Sequence, residues 1–429
     1  MTNRFENIAM ESRKAELAPW VLIAGGFRFC AGMDKANAAL AAYLLERKTP
    51  LHLVAHQVDP EFSQHPGVRV HLVPRPAGSF FLGELLLDRS GLAVARQVVS
   101  QWPDARVVVN GGNCIWPDMN WVHCIHHAWS CADGAAPLAF RIKNRIVKGL
   151  ARRRERLGIR AARVVLANSE ETRRKVIDCL RVERRKVHTV YLGADPILKP
   201  ASSAERAAAR AWLGKLEKRP LVVFVGALSL DQNKGFDTLW SAWRALCSRA
   251  DWDADLIVAG NGNGLARWRA AVVHAGLASR VQLLGFTDRV RDLLAAADLL
   301  VSPVRYEAYG LNVQEAICRG VPALVSRSAG VAELYPIALS EMLLPNPEDI
   351  DDLAERLLRW RSHMSYWKKA FQPFGDALRG YTWKDMARCI VEIAECGEHG
   401  SVGLRNPCMQ AGGVPAVRRA ARGLAGGVE

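Results

Sequence analysis

Short apolar runs separated by helical stretches repeat along most of this 429-residue chain. This alternation is typical of parallel β-α-β units, whose strands are covered by helices on both faces. The first series of runs lies at 20–25, 51–56, 68–73, 106–111, 120–125, 163–169 and 186–193. The second series lies at 221–226, 254–260, 280–285, 297–303 and 322–326. The sequence therefore predicts two tandem α/β domains, each built on a doubly wound parallel sheet.

The length of the chain also favours two domains, because one hydrophobic core seldom serves more than about 250–300 residues. We place the domains at 1–195 and 196–365, followed by helices at 366–397. Residues 398–429 are rich in Gly, Ala and Arg without a clear period, which predicts disorder. Open sheets of this type bind ligands beyond the carboxyl ends of their strands, so two facing domains would form a cleft.

The composition is that of a soluble globular protein, with 50% hydrophobic and 24% charged residues. No apolar run approaches the ~20 residues that a membrane-spanning helix needs. The stretch MTNRFENIAMESRKAELAPW carries acids and no apolar centre, which predicts that it is not a secretory signal. The ten cysteines are scattered without a Cys-x-x-Cys pair, so we expect reduced thiols in a cytosolic protein.

Positive charge is concentrated between Arg141 and Lys186, where 17 Lys and Arg face 5 Asp and Glu. A helix is predicted there, with Ile142, Ile146 and Leu150 along one stripe. The stripe could pack into the core while the basic residues stay solvated, or it could rest on an anionic membrane. Nucleic acid is the weakest alternative, because a binding platform would carry more aromatic residues than this run does. The first two alternatives stay open.

Two glutamates flank a turn between a buried strand and a helix in the stretch EAYGLNVQE. They are Glu307 and Glu315, and the helix between them begins at Gly310. The free backbone N–H groups of Gly310, Leu311 and Asn312 can bind a phosphate. Glu315 lies just over one turn into the helix, where a carboxylate could accept both hydroxyls of a ribose. Taken alone, the two glutamates could equally be solvated surface residues.

Two further loops follow strands at the same predicted edge. Lys234, in DQNKGFDTL, can neutralise a leaving diphosphate as a point charge. In the first loop, AGGFRFCAGMDK, the glycines Gly25, Gly26 and Gly32 allow close approach of the backbone to a ligand. The Gly-x-Gly-x-x-Gly pattern of dinucleotide sites is absent. The simpler alternatives are a surface lysine and an ordinary strand-to-helix turn.

Histidines and cysteines cluster in NWVHCIHHAWSC, where His126 and His127 follow a strand. No downstream ligand pair is spaced to complete a tetrahedral zinc site, so we predict no metal and favour a histidine that faces the cleft. The neighbouring tryptophans Trp116, Trp121 and Trp129 could stack on an acceptor sugar. Each of them, taken singly, is more often a core residue.

The stretch EAYGLNVQE and further motifs along the chain resemble those of retaining glycosyltransferase family 4, also called glycosyl transferases group 1. The resemblance rests on two glutamates with seven residues between them and on further motifs in the family's order across residues 20–395. These motifs are VLANSEETRRKV, VYLGADP, FVGALSLDQNKGFDTL, VAGNGN and VQLLGF. The resemblance implies the GT-B fold, in which two Rossmann-like domains face a central cleft and the last helix crosses back to the N-terminal domain.

The resemblance also implies roles for individual residues. Glu315 would bind the ribose and Glu307 the sugar hydroxyls. His126, or alternatively His127, would contact the transferred sugar, and Lys234 would face the diphosphate. Catalytic roles thus fall to His126, Lys234 and Glu307. The donor-binding positions would be Gly26, Gly32, Gly226, Gly260, Phe286, Gly310, Leu311, Asn312 and Glu315.

One position departs from the family pattern. The family commonly has an arginine directly after the glycine that ends the strand LVVFVG, whereas here Ala227 follows Gly226. The usual pair of cations at the diphosphate is therefore in doubt. Arg28 in the first loop or Arg305 before Glu307 could replace the missing arginine.

The sequence thus predicts a retaining, metal-independent glycosyltransferase that needs no cofactor and uses a nucleotide-diphosphate sugar, with UDP or GDP favoured. Its acceptor would be a glycan or a lipid-linked molecule of cell-surface polysaccharide or glycolipid biosynthesis. The enzyme would work in the cytoplasm, either free or at the inner face of the plasma membrane, without a nucleic-acid partner. A non-catalytic sugar-nucleotide-binding relative and a basic nucleic-acid-binding protein are the alternatives.

Overall fold

The structure is a computed structural model that describes residues 17–29, 32–128, 137–215 and 219–396. The predicted disordered tail at 398–429 and Trp129 lie outside these ranges. The N-terminal sheet has seven parallel strands in the order β5-β3-β1-β6-β7-β8-β9. They are β1 Trp20–Ile23, β3 Leu51–Ala55, β5 Val68–Leu72, β6 Arg106–Asn110, β7 Met119–Val122, β8 Val164–Ala167 and β9 Val187–Thr189. Two short strands, β2 Gly26–Phe27 and β4 Gln57–Val58, pair beside this sheet.

Helices connect these strands as the β-α-β pattern requires. The α-helices of this half are α1 Gly32–Glu46, α2 Pro60–Ser63, α3 Phe80–Gln101, α4 Leu138–Ala161 and α5 Glu170–Leu180. Short 3₁₀ turns lie at Pro76–Gly78 and Arg184–Lys186. Every residue of β1, β7 and β8 is buried, because helices cover both faces of the sheet.

The second sheet has six parallel strands in the order β12-β11-β10-β13-β14-β15. They are β10 Leu221–Val225, β11 Asp255–Ala259, β12 Val281–Gly285, β13 Leu299–Ser302, β14 Ala323–Ser326 and β15 Leu343–Leu344. Its helices are α6 Ser203–Trp212, α7 Phe236–Cys247, α8 Leu265–His274, α9 Val290–Ala296 and α10 Leu311–Cys318, with 3₁₀ segments at Gly330–Leu334 and Ile337–Met342. Four more helices follow, α11 Ile350–Ser362, α12 Met364–Ala370, α13 Gln372–Arg379 and α14 Trp383–Cys396.

The prediction of two tandem α/β domains is confirmed, and every predicted run contains a strand. The strands β2, β4 and β15 were not predicted, because two residues are too few to produce a recognisable pattern. The last described helix, α14, packs against α1 of the first domain. Ala194 donates its N–H to the carbonyl of Tyr381 at 2.7 Å beside this contact. The exact domain limits stay a prediction.

Two expectations need correction. Cys389 is disulfide-bonded, so the expectation of uniformly reduced thiols is wrong at that position. The apolar stripe of α4 does not pack into the core, because Ile142, Ile146 and Leu150 are 53%, 60% and 39% exposed. Of the two alternatives left open for this helix, core packing is therefore wrong. Within the described ranges, no helix is both long and apolar enough to cross a bilayer.

Candidate functional site

The carboxyl ends of the strands of both sheets border two adjoining cavities. The first has a volume of about 340 Å³, and its lining includes Gly32, Lys234, Glu307, Gly310, Leu311 and Asn312. The second has a volume of about 470 Å³ and lies on the N-terminal side, with a lining that includes Arg28, Asn37, Asn110, His126 and Glu155. Met33, His123 and Cys124 line both cavities, so the two spaces share a wall.

The helix α10 begins at the first cavity because Gly310 makes the turn. This glycine has a φ of +105°, which residues with a Cβ rarely adopt. A Cβ at this position would also lie 3.0 Å from a side-chain carbon of Val331. The side chain of Asn312 donates to the carbonyl of Val225 at 2.9 Å and so fixes the helix to the end of β10. The positive end of α10 therefore faces the cavity, as the sequence predicts for an anion site.

Lys234 and Glu307 form an ion pair in the first cavity. Burial alone would lower the pKa of Lys234, but the adjoining Glu307 carboxylate outweighs burial and raises it. Lys234 is therefore fully charged at neutral pH. The two loops that carry this pair are joined by Asn233, whose side chain donates to the carbonyl of Tyr306 at 3.1 Å. A cation and a carboxylate thus stand together beside the N-terminus of α10.

The two arginines proposed as replacements at Ala227 have different surroundings. Arg305 donates to both oxygens of Asp237, at 2.8 and 2.7 Å, and to Glu348 at 2.9 Å. Its guanidinium is thus held by Asp237 at the start of α7 and by Glu348 before α11, so Arg305 anchors its own loop. Arg28 lines the second cavity, where it pairs with Asp34 at 2.7 Å.

Glu315 is not solvated, because it pairs with Lys35 of helix α1 across the cleft. The ammonium nitrogen of Lys35 lies 3.3 Å from Oε1 of Glu315 and 3.3 Å from Oδ2 of Asp195. Burial raises the pKa of Glu315, and Lys35 opposes that rise. The first domain therefore supplies the counter-ion of a carboxylate in the second domain, a contact that the sequence analysis missed.

The two domains also meet around the loop that carries Glu307. The hydroxyl of Tyr306 accepts the backbone N–H of Ile125 at 2.8 Å. The hydroxyls of Ser169 and Thr172, at the start of α5, donate to the carbonyl of Ala308 at 2.8 and 3.0 Å. These hydrogen bonds connect loops of the two domains. The loop that carries His126 therefore lies next to the loop that carries Glu307.

His126 and His127 are fixed by one carboxylate, Glu155 of α4, which is only 1% exposed. Oε1 accepts the backbone N–H of His126 at 2.7 Å and lies 3.1 Å from its Nδ1. Oε2 accepts the backbone N–H of His127 at 3.2 Å and lies 2.6 Å from its Nδ1. A carboxylate only accepts, so each ring carries its proton on Nδ1.

The two histidines differ in the surroundings of their second ring nitrogen. The guanidinium of Arg156 lies 3.1 Å from Nε2 of His127, so that nitrogen already accepts a hydrogen bond. Among the described residues, His126 has no such bond at Nε2, and His126 is the one that lines the second cavity. His126 therefore presents an acceptor nitrogen to the cavity, whereas His127 does not. The sequence analysis did not find Glu155, because 29 residues separate it from His126.

His123 forms part of the wall between the cavities and is 8% exposed. Burial lowers the pKa of its ring to about 3, so it is neutral at physiological pH. Neither of its ring nitrogens has a hydrogen-bond partner among the described residues. Its ring packs on the buried Trp121, with ring centroids 4.4 Å apart. Trp121 is thus a core residue and is not free to stack on an acceptor, whereas Trp116 is partly buried against the core.

Five of the predicted donor positions line neither cavity: Gly26, Gly226, Gly260, Phe286 and Glu315. A Cβ at Gly260 would overlap the carbonyl oxygen of Gly226, so this pair brings two strand ends together. Gly26 is buried, and a Cβ there would overlap the carboxylate of Asp34. Phe286 is 79% exposed and borders neither cavity. Seven of the predicted site residues do line the cavities: Gly32, His126, Lys234, Glu307, Gly310, Leu311 and Asn312.

No group of three or more His, Cys, Asp or Glu within the described ranges is arranged to hold a metal ion. Two aspartates of the stretch DWDADL form ion pairs with basic side chains of the second domain. Asp253 binds the guanidinium of Arg361 at 2.7 Å, and Asp255 binds Lys215 at 3.0 Å and Arg280 at 3.1 Å.

Comparison with known proteins agrees with this architecture. Residues 31–197 match the profile described as Glycosyltransferase Family 4, and residues 219–363 match the one described as Glycosyl transferases group 1. The chain therefore contains a glycosyltransferase family 4 domain followed by a glycosyl transferases group 1 domain. Its architecture is the GT-B fold, as the resemblance implied.

Similar proteins include the alpha-D-kanosaminyltransferase of Streptomyces kanamyceticus, which is 26% identical over 219 residues. That match covers 50% of this chain and 56% of the relative, so it spans little more than half of the curated protein. Among solved structures, WaaG, a glycosyltransferase involved in lipopolysaccharide biosynthesis, has a TM-score of 0.67 at 18% identity. HepE from Anabaena, in complex with UDP and glucose, has a TM-score of 0.63 at 18% identity. Each superposition covers 89% of this chain and 100% of the other.

Proposed function

We propose that this chain is a retaining, metal-independent glycosyltransferase that moves a sugar from a UDP- or GDP-sugar to a glycan or lipid-linked acceptor. The observation that carries the proposal is the convergence of Lys234, Glu307 and the N-terminus of α10 in one cavity beside His126. A lysine and helix N–H groups can stabilise a departing diphosphate without a divalent ion. The HepE structure holds UDP and glucose in the same fold, which supports a nucleotide-sugar donor.

In this proposal the two domains bind different substrates. Residues 1–195 receive the acceptor, residues 196–365 bind the donor, and the helices of 366–397 join the two. The first cavity holds the diphosphate and the sugar, while Glu315 in α10 accepts the ribose hydroxyls. The second cavity receives the acceptor, because it lies beyond His126 on the N-terminal side. In this proposal Phe286, which is exposed after β12, belongs to the donor-binding residues.

The chemistry follows from the charges of the site. Departure of the diphosphate leaves positive charge on the sugar ring, as in other glycosyl transfers. Glu307 is held next to Lys234 and binds the sugar hydroxyls, while Lys234 meets the negative charge that develops on the diphosphate. His126, with its proton on Nδ1, offers Nε2 as an acceptor to a hydroxyl of the transferred sugar.

We further propose that helix α4 rests on an anionic membrane at the cytoplasmic face. Six large apolar side chains of this helix are exposed: Leu138, Ile142, Ile146, Val147, Leu150 and Leu157. Nine Lys and Arg lie on the same helix with one Glu. Each basic residue near an anionic surface adds ~1 kcal/mol of attraction, and the apolar side chains can enter the interface. A lipid-linked acceptor would then be delivered directly to the N-terminal domain.

Charge reversal in α4 tests the membrane proposal, provided that the chosen residues do not hold the site. Arg152 and Arg156 are unsuitable, because they bind the His126 carbonyl and the His127 ring. Lys143, Arg145 and Arg153 are exposed and suitable. The wild type should sediment with anionic vesicles and be released by high salt, whereas Lys143→Glu/Arg145→Glu/Arg153→Glu should stay in the supernatant. Equal recovery of the wild type with anionic and neutral vesicles would contradict the membrane proposal.

A donor screen tests the enzyme proposal. UDP, GDP and ADP sugars are added singly, and thermal unfolding is followed, because a ligand that binds the folded chain raises its stability. The donor that stabilises the chain is then supplied with acceptor extracts, and nucleotide release is measured. We expect stabilisation by a UDP- or GDP-sugar and retention of the anomeric configuration in the product. Failure of every nucleotide sugar to bind would refute the proposal.

A non-catalytic nucleotide-sugar-binding protein is the second candidate, and Ala227 is the observation that favours it. No arginine follows Gly226, and Arg305 is held by Asp237 and Glu348. The diphosphate would then meet only Lys234 and the helix terminus. Binding of a donor without any transfer or hydrolysis, at enzyme concentrations equal to those of the donor, would support this candidate over the enzyme.

A further inference from the structure

Lys35 is the only described cation within 4 Å of the Glu315 carboxylate, and it reaches Glu315 from the opposite domain. Its side chain is 15% exposed, and that of Glu315 is 21% exposed, so water screens this ion pair only partly. Asp195, in the connection between the domains, binds the same ammonium at 3.3 Å. The Trp383 ring at the start of α14 lies 5.8 Å below it. Four separate parts of the chain thus meet at Lys35.

The ion pair leaves half of the carboxylate available. Lys35 contacts Oε1 of Glu315, and Oε2 has no hydrogen-bond partner among the described residues. A carboxylate has about four acceptor positions, so one lysine does not exhaust them. Two ribose hydroxyls can therefore donate to Glu315 while Lys35 stays in place.

The other charged or titratable groups near Glu315 do not replace this lysine. Asp195 is an acid and disfavours a second negative charge. Cys318, one turn further along α10, has a thiol whose pKa is raised by burial to about 12, so it is neutral. Arg379 donates to the carbonyl of Cys318 and pairs with Asp376. Without Lys35, Glu315 would be a largely buried carboxylate beside Asp195. Burial and the neighbouring acid would then both favour the protonated form of Glu315.

We propose that Lys35 is a positioning residue of the donor site, which keeps the Glu315 carboxylate ionised and oriented for the ribose and thereby maintains nucleotide affinity at neutral and mildly acidic pH. This inference rests on the proposed donor role of Glu315. The ion pair joins α1 of the first domain to α10 of the second, so the first domain contributes to nucleotide affinity through Lys35.

The test measures the Kd of UDP and of GDP at pH 8 and pH 6 by calorimetry. Lys35→Met removes the charge but keeps the length of the side chain. Its affinity relative to the wild type should fall by about tenfold more at pH 6 than at pH 8, because hydrogen bonds to the charged form of Glu315 are lost on protonation. Dividing by the wild-type Kd at each pH cancels the titration of the phosphates. Lys35→Arg should restore the wild-type pH profile.

Two further variants separate this role from a merely structural one. Lys215→Met removes a lysine of similar exposure that pairs with Asp255 at 3.0 Å outside the cavities, and its pH profile should match the wild type. Lys35→Met/Glu315→Gln should lose the added pH dependence, because a glutamine does not titrate. Parallel profiles of Lys35→Met and the wild type would overturn the inference alone. Absence of UDP and GDP binding by the wild type would overturn it together with the proposed function.

Discussion

Replacing Glu155 by Gln tests whether a buried carboxylate positions the histidine of the site. The carboxylate accepts from two backbone N–H groups and two ring nitrogens, all within 3.2 Å. A glutamine amide has one oxygen and one NH₂ group, so it can accept from one histidine only. The backbone N–H and the ring Nδ1–H of the other histidine then point at the NH₂ group of the glutamine, which is itself a donor. Two hydrogen bonds to a charged acceptor are lost, each typically ~1.5–3 kcal/mol.

The expected loss of stability is therefore about 3–6 kcal/mol, close to the usual cost of breaking a buried charged network. A domain in the middle or upper part of the ordinary ~5–15 kcal/mol range of stability would stay folded. The effect on turnover should be larger than the effect on binding, because a displacement of about 1 Å at a reacting group costs ~100-fold in rate. We expect kcat for Glu155→Gln to fall by about 100-fold, while the Kd of UDP or GDP stays within about twofold of the wild type.

Steady-state kinetics with the cognate donor, calorimetry with the nucleotide and thermal unfolding measure the three quantities. Asp298→Asn is the matched control, because Asp298 accepts bonds from Arg206, Arg210 and the backbone of Leu221, away from the two cavities. This control should lose stability but keep kcat. If Glu155→Gln retained wild-type kcat, or if the control lost kcat equally, the positioning role of Glu155 would be refuted.

The pH dependence of the same variant gives an independent check. Burial tends to raise the pKa of Glu155, but hydrogen bonds from His126 and His127 outweigh it, so the folded pKa is lowered from the ordinary value of 4.5. A carboxyl group with a lowered pKa contributes stability above its unfolded pKa and loses it as the pH falls through its folded pKa. The difference in stability between wild type and Glu155→Gln should therefore be full at neutral pH and shrink below about pH 4.5.

Two further predictions concern the donor site. Glu315→Ala should weaken nucleotide binding by about 10–100-fold. Glu307→Ala should lower kcat more than it weakens nucleotide binding, because in the proposed donor complex Glu307, unlike Glu315, binds the transferred sugar; wild-type kinetics with both variants would show that the loop is wrongly assigned. Activity should survive dialysis against EDTA, since Lys234 and the N-terminus of α10 supply the positive charge at the diphosphate; loss of activity that returns with added Mg²⁺ or Mn²⁺ would contradict this.

Local patterns in the sequence predicted the sheets and the strand, turn and helix around Gly310. The strand, turn and helix around Gly310 lie within about twenty residues, and the positive φ at the start of α10 depends on the residue type at one position, Gly310. The same holds for Lys234, whose loop follows β10 directly. Such features depend on neighbours in the chain, so the sequence pattern contains them.

Contacts between distant segments could not be predicted in this way. Lys35 and Glu315 are separated by 280 positions, and Glu155 and His126 by 29, so neither pair forms a periodic pattern. The apolar stripe of α4 has the spacing of a core-facing helix, yet its side chains are exposed. Periodicity shows that one face of a helix is apolar, but it does not show what covers that face.

Helix α4 connects the proposed membrane contact with the chemistry of the site. Its first half carries the exposed Ile142 and Ile146, and its second half carries Glu155, which holds His126. Arg152, between the two halves, donates to the carbonyl of His126 at 2.9 Å. A rigid helix transmits any tilt along its whole length, so docking the first half on a bilayer also fixes the orientation of the second half. One helix, α4, therefore carries both the proposed membrane contact and the side chains that position His126 at the second cavity.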